Sequence, residues 1–385
     1  MWFGTRASAL PGPGLDRMAA ATPDSRDRVV DAARAFCIVV VTLWHWVLSV
    51  THRSADGSLV MPNPIHIVPG GWLATWVFQV MPLFFVIGGY ANLAAWQRAR
   101  ETGMTAGRFV AHRLRRLLWP TAVWAGAWIA GELIAAALPG PHRWMWEWFP
   151  GYLIPLWFIG VYAGLIVLVP VTAALHHRAA ATMLAVLVAV IGLGSIAHRG
   201  AGWAWAGWVT AAVVWLFCNQ LGYAWRTGAL GQRPLPQRVL VAAAGLAGLL
   251  GLTLLAGYPR SMVATVGAVE SNILPTNAAI AALAVFQLGL LITVTPAAQR
   301  LLRWQVLWKP VVVLNAVALT VFLWHMTAYL AVVWAYERTG VTLLAEPDQA
   351  WWAQRWLWLL APLVVLVALT AVFARVEAAA RRPRG

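Results

Sequence analysis

Arg34 and His45 are the two residues whose types and spacing point most directly to chemistry. They lie eleven positions apart in an apolar stretch. At ~1.5 Å per residue a helix would separate them by roughly 16 Å and leave them about 20° apart around its axis. An arginine at one membrane surface and an imidazole near the midplane would then share one stripe. An ionisable side chain at that depth is costly and marks a functional site by default. Neutral imidazole is a base near pH 7 and can also act as a nucleophile. Asp31 lies one turn before Arg34 and could pair with it. His325 is a second histidine in an apolar run, and the tripeptide Leu-Trp-His occurs at both 43–45 and 323–325. It could serve as proton partner, hydroxyl binder or packing residue. Glu132, near the outer end of the third apolar run, could pair with Arg143 or a histidine, reach water or act directly.

The elements that must position these residues are membrane helices. Of 385 residues, 61% are hydrophobic and only 11% charged, against about 25% charged in a soluble domain. Mean hydropathy is +0.70. Apolar runs long enough to span occur at about 35–51, 72–96, 117–138, 153–174, 181–197, 203–223, 238–257, 276–296, 310–334 and 351–374. The expected fold is an all-α polytopic membrane protein of about ten transmembrane helices, with the fifth run short. With the N-terminus inside, every basic residue falls on the cytoplasmic side except Arg53, Arg143, Arg199, Arg260, Arg338 and Arg355. Both termini are then cytoplasmic.

The chain divides into a polar, Pro/Gly-rich arm at 1–25, a membrane domain at 26–375 and a basic tail at 376–385. The arm lacks the apolar core of a signal peptide, and Met18 is an alternative start. The excess of 28 Lys+Arg over 13 Asp+Glu follows the membrane sides and forms no single patch, so no nucleic-acid partner is expected. Nearly all basic residues are arginine, a composition that suggests a GC-rich bacterial genome. Cys37 and Cys218 lie within apolar runs and read as packing residues. No spacing suggests a metal site. Trp144, Trp146, Trp148, Trp351 and Trp352 fit an interfacial aromatic belt, some of whose rings could instead stack on a sugar. The outer segment 258–277 is long enough to cover a pocket. His176, His177 and Arg178 read as a short cytoplasmic turn, and Asn219, Gln220, Gln287 and Asn315 as hydrogen bonds between helices.

Arg34-x10-His45 resembles the R-x10-H motif of the acyltransferase-3 family of integral membrane acyltransferases. Other segments match in order. Residues 81–90, Met-Pro-Leu-Phe-Phe-Val-Ile-Gly-Gly-Tyr, are similar to the family's L-F-F-x-x-S-G-F. Arg113-Leu-Arg-Arg116 fits its R-x-x-R, and 156–159 and 322–325 resemble its L-W-Y and Y-L-x-H segments. The likeness covers about 28–374. Gly88 stands where the family usually has serine, so no role can rest on that hydroxyl.

The resemblance implies an O-acyltransferase in a bacterial inner (plasma) membrane. It would move an acyl group, most simply acetyl, from cytoplasmic acyl-CoA to a hydroxyl of a cell-envelope carbohydrate or glycolipid. His45 would be catalytic, as general base or acyl carrier, with Arg34 as its orienting or substrate-binding companion. Arg113 and Arg116 would hold the phosphates of acyl-CoA, a task suited to guanidinium forks. No bound cofactor is implied, acyl-CoA being a substrate. Two rivals from other classes stand beside this reading. One is a proton-coupled transporter or flippase using His45 and His325; the other is a non-catalytic assembly partner. How an acyl group would travel from a midplane histidine to an outer acceptor is left open by the sequence.

Overall fold

The computed structural model describes residues 27–137, 156–265, 268 and 270–381. Expectations for the N-terminal arm, Met18, Arg143 and Trp144, Trp146 and Trp148 lie outside these residues. The fold is all-α and polytopic, with two two-residue strands as its only paired strands among the described residues. Nine of the described helices are long and apolar enough to cross a membrane.

The difference from the expected ten lies in one element. Helix α5 (Leu156–Ala201) runs 46 residues but has non-helical backbone at Ala179. At 1.5 Å per residue an unbroken helix of that length would be roughly 69 Å, more than twice the hydrocarbon thickness. The break at Ala179 resolves this into two arms that correspond to the fourth and fifth apolar runs. His176 is therefore not in a turn. It is buried in the first arm, with Nδ1 2.8 Å from Oε1 of Gln220.

Helix α1 (Arg28–Val47) begins seven residues before its apolar run. The Asp27 side chain accepts from the amides of Val29 and Val30, at 3.0 and 3.3 Å. Arg28 lies over the Trp308 ring, 4.9 Å from its centroid, which lets a basic first turn pack against the bundle. Arg34 is thus nearly two turns inside the helix, not at its end. His45 is in the last turn.

The outer half of this position is built from loops. Trp46 Nε1 donates to the His325 carbonyl at 3.0 Å, which puts His45 and His325 at one level. Helix α10 (Ala318–Thr339) continues fourteen residues beyond His325, roughly 21 Å by helical rise. The chain after Val47 fills that height with segment 48–70, including the hairpin β1 (His52–Arg53) and β2 (Leu59–Val60). Arg53 pins the hairpin through a two-pronged pair with Glu337, at 2.8 and 3.1 Å. Arg355 reaches the carbonyls of Val47 and Ser49 at 3.4 and 3.3 Å and stacks over Trp351.

The second run is interrupted as well. Helices α2 (Gly71–Phe78) and α3 (Met81–Glu101) are separate, with Pro82 in the first turn of α3, where its missing N–H costs nothing. Gln287 on α8 (Ala278–Leu301) donates to the carbonyls of Trp76 and Gln79 at 3.1 and 3.0 Å, satisfying backbone freed by the break. Gln79 in turn donates to Met262 in the outer segment. On α3, a Cβ at Gly89 would lie 2.1 Å from the Asn219 carbonyl of α6 (Ala204–Arg226), and one at Gly222 would lie 2.0 Å from the Val86 carbonyl. Only glycine permits that approach of backbones.

The expected helix at 310–334 is likewise two helices, α9 (Gln305–Ala316) and α10. Glu377 of α12 (Leu357–Arg381) caps the new N-terminus. Its carboxylate accepts from the Thr320 amide at 2.9 Å and the Thr320 hydroxyl at 2.7 Å. This join positions Asn315 beside α1 and His325 beside His45. Cys37 and Cys218 are free and fully buried.

Candidate active site

His45 and His325, from helices that are distant in sequence, meet directly. His325 Nδ1 is 2.7 Å from the Phe322 carbonyl. That oxygen can only accept, so Nδ1 carries the proton. In a neutral ring Nε2 is then an acceptor, and it lies 3.3 Å from Nδ1 of His45. His45 Nδ1 therefore donates, which leaves the lone pair on His45 Nε2. The geometry selects one tautomer for each ring, and His45 has a basic nitrogen free of that chain. The rings are 5.3 Å apart between centroids and inclined by 29°. The Ser49 hydroxyl is bonded back to the His45 carbonyl at 2.6 Å.

Both imidazoles line a cavity of about 600 Å³. Its outer wall comes from Met61, Pro62 and Asn63 and, across from them, from Val263, Ala264 and Thr265. Val263, Ala264, Thr265 and Ile273 of the outer segment thus line a pocket that contains His45. Asn63 Nδ2 donates to the Ala264 carbonyl at 2.6 Å, tying the two loops together. The remaining wall is largely apolar, with Trp44, Trp157 and Phe322 among its residues.

A second cavity, of about 210 Å³, is lined by Arg34, Arg113 and Arg116 together with Tyr162, Asn315 and Glu377. All three arginines singled out in the sequence converge there. Arg34 is held by Asp31 and by Asn315 Oδ1, each at 3.3 Å. Asn315 is itself fixed by donating to the Asp31 and Val311 carbonyls. Arg113 donates to Asn92 at 2.6 Å. These contacts hold the Arg34 and Arg113 guanidinium groups at the cavity wall, where such groups can recognise an anion.

The two cavities adjoin. Phe158 and Phe322 line both, and their rings meet edge to face at 5.0 Å between centroids. Gly88 faces this region. A Cβ there would stand 2.7 Å from Cε2 of Tyr162, so the tyrosine ring fills the space where a serine side chain would begin.

The structure leaves Glu132 elsewhere. It lines an apolar groove with Trp128, Trp324 and Trp334, apart from both cavities. Among the described residues no cluster of three or more His, Cys, Asp or Glu forms a metal site. Sequence reasoning missed Asn315, Phe158 and Phe322 as site residues. Asn315 read as a helix-to-helix hydrogen bond, and the phenylalanines carried no signal beyond their place in the two later matched segments.

A polytopic all-α bundle of long apolar helices, with an arginine-lined cavity and an adjoining histidine-lined cavity, is an integral membrane protein. The profile of the acyltransferase-3 family, described as an acyltransferase domain, matches residues 27–375, and the chain belongs to that family. Comparison with curated proteins and with solved structures gives no match.

Proposed function

We propose that this membrane acyltransferase takes an acyl group, most simply acetyl, from cytoplasmic acyl-CoA and places it on a hydroxyl of an envelope carbohydrate or glycolipid at the outer face of a bacterial plasma membrane. The observation that carries the proposal is the meeting of the arginine cavity with the histidine cavity along one helix, α1. At about 210 Å³, the inner cavity is below the ~300 Å³ of pockets that enclose a drug-sized ligand. It suits one part of the coenzyme, with the nucleotide remaining at the cytoplasmic mouth. Arg34, Arg113 and Arg116 face the diphosphate. From diphosphate to sulfur the pantetheine arm is about twelve bonds, the length of four extended residues or ~14 Å. That covers most of the rise between Arg34 and His45.

In the transfer step His45 Nε2 takes the proton of the acceptor hydroxyl as its oxygen attacks the thioester carbonyl. The new ester C–O bond forms, the C–S bond breaks, and the imidazolium returns the proton to the departing thiolate. His325 holds His45 in the required tautomer. A covalent route with acyl carried on His45 uses the same nitrogen.

The test is His45→Ala in the purified, membrane-reconstituted protein. Acyl transfer is expected to fall by roughly 10²–10⁴ with acyl-CoA binding retained. Transfer at the unaltered rate would remove His45 from the chemistry. An unchanged complement of acylated envelope glycans and lipids in cells lacking the protein would favour transport instead.

A further inference from the structure

The inner and outer cavities share two side chains, Phe158 and Phe322. Both are buried, at 4% and 7% exposure. Phe158 also packs against Phe84, Phe85 and Tyr162, with ring centroids 5.0, 5.1 and 5.5 Å away. Phe322 has a second function in its backbone, whose carbonyl accepts from His325 Nδ1. Its ring also lies 5.9 Å from the His325 ring, between centroids, so the side chain that divides the cavities touches the histidine pair as well. Ring reorientation in a crowded interior is slower than the ps–ns flips of exposed side chains.

We propose that Phe158 and Phe322 form a removable septum that sets what passes between the arginine cavity and the histidine cavity. Closed, the two rings separate cytoplasmic water and solutes from the outer cavity. When the rings part, a slender, mostly uncharged chain the width of a pantetheine arm fits between them, while a hydrated ion or the phosphates behind it do not. The septum thus positions the thioester at His45 and keeps cytoplasmic water from reaching it along the donor's path. This role as a conduit for the donor rests on the acyl-transfer reading; the physical barrier does not.

Accessibility of a single cysteine separates the two. Ala318 lines the inner cavity and Thr265 the outer one, and the native cysteines are fully buried. Ala318→Cys, treated from the outer face with a charged, membrane-impermeant thiol reagent, is expected to stay unlabelled. In the Phe158→Ala/Phe322→Ala background it is expected to label, at a rate rising towards that of Thr265→Cys, which labels in both backgrounds. Labelling of Ala318→Cys from the cytoplasmic face in the double variant shows that the bundle has folded. Outer labelling of Ala318→Cys with both phenylalanines present, or no gain on removing them while Thr265→Cys still labels, overturns the septum. With acetyl-CoA, Phe322→Ala is expected to raise acceptor-free hydrolysis several-fold relative to transfer, and Phe322→Trp to slow transfer with no added hydrolysis. Parallel loss of transfer in both variants with no hydrolysis reduces the pair to packing. Labelling as expected, with no acetyl-CoA turnover in any form of the protein, keeps the barrier and overturns the acyl-transfer reading.

Discussion

His325 Nε2 lies 3.3 Å from His45 Nδ1, and the Phe322 carbonyl behind His325 fixes the direction of the proton chain. The order carbonyl, His325, His45 leaves one free lone pair, on His45 Nε2. Two residues 280 positions apart are joined in a single hydrogen-bonded unit.

The first prediction concerns that unit. His325→Ala removes the partner that selects the His45 tautomer and should lower kcat by roughly 10², because a wrongly held imidazole costs as much as 10⁴ in the comparable Asp–His arrangement of serine proteases. KM for acyl-CoA should stay near its original value, since His325 does not line the arginine cavity. A rise in KM with kcat intact would show that His325 binds donor instead. Single-turnover and steady-state rates in nanodiscs distinguish the two.

Arg113→Ala should act in the opposite sense. Losing a charged hydrogen bond costs about 1.5–3 kcal/mol, so KM for acyl-CoA should rise about 10- to 150-fold with a smaller change in kcat. Arg113→Lys should recover only part of the loss, because an ammonium lacks the guanidinium fork. Its point charge also replaces the bond to Asn92 imperfectly. Isothermal binding of acetyl-CoA reads this directly.

Glycine substitutions on α3 should rank by what the new atoms meet. At Gly89 the obstacle is backbone, 2.1 Å away; at Gly88 it is the edge of the Tyr162 side chain, 2.7 Å away. Gly89→Ala should therefore lose more thermal stability in detergent than Gly88→Ala, by about 1–3 kcal/mol, the usual cost of overpacking. Equal melting temperatures would mean that α3 and α6 can separate freely.

Glu377→Ala removes the acceptor of the Thr320 amide and hydroxyl. A buried donor left without its partner costs about 1–3 kcal/mol. Because the capped turn begins α10, the loss should also disturb the arginine cavity. Reduced stability together with weaker acetyl-CoA binding is the expected result; lowered stability with binding untouched would confine Glu377 to capping.

The outer pair Arg53–Glu337 has side chains 33% and 24% exposed. Solvent screens such a pair, so Glu337→Gln should change stability by no more than about 1 kcal/mol. Its effect should fall instead on the hairpin. Hydrogen exchange at the amides of segment 48–63 should rise, and unchanged exchange there would show that Thr51, bonded to Tyr329, holds the hairpin without help.

Much of this protein was legible in the chain alone. Hydropathy and loop charge identify a polytopic bundle because the bilayer demands long apolar helices whatever their neighbours. The R-x10-H and R-x-x-R spacings single out His45 and the three arginines that line the two cavities, and each motif lies within a single helix, where local geometry holds regardless of packing. The interruption at Val317 was hidden. It depends on a partner from elsewhere in the chain, Glu377, that accepts from the backbone of the new helix start.

Tertiary structure alone decided how His45 communicates with the outer face. From sequence it was a midplane residue with no route outward. Folding stops α1 two residues later, replaces its outer half with loops and brings Met61–Asn63 and Val263–Thr265 over an open cavity. The same packing sets Phe158 against Phe322 and His325 against His45. Hydropathy reports only the free energy of burying each residue, and it is blind to which buried surfaces meet. That choice belongs to helix packing, and here it turns one ring nitrogen of His45 towards His325 and leaves the other outside that hydrogen-bonded chain.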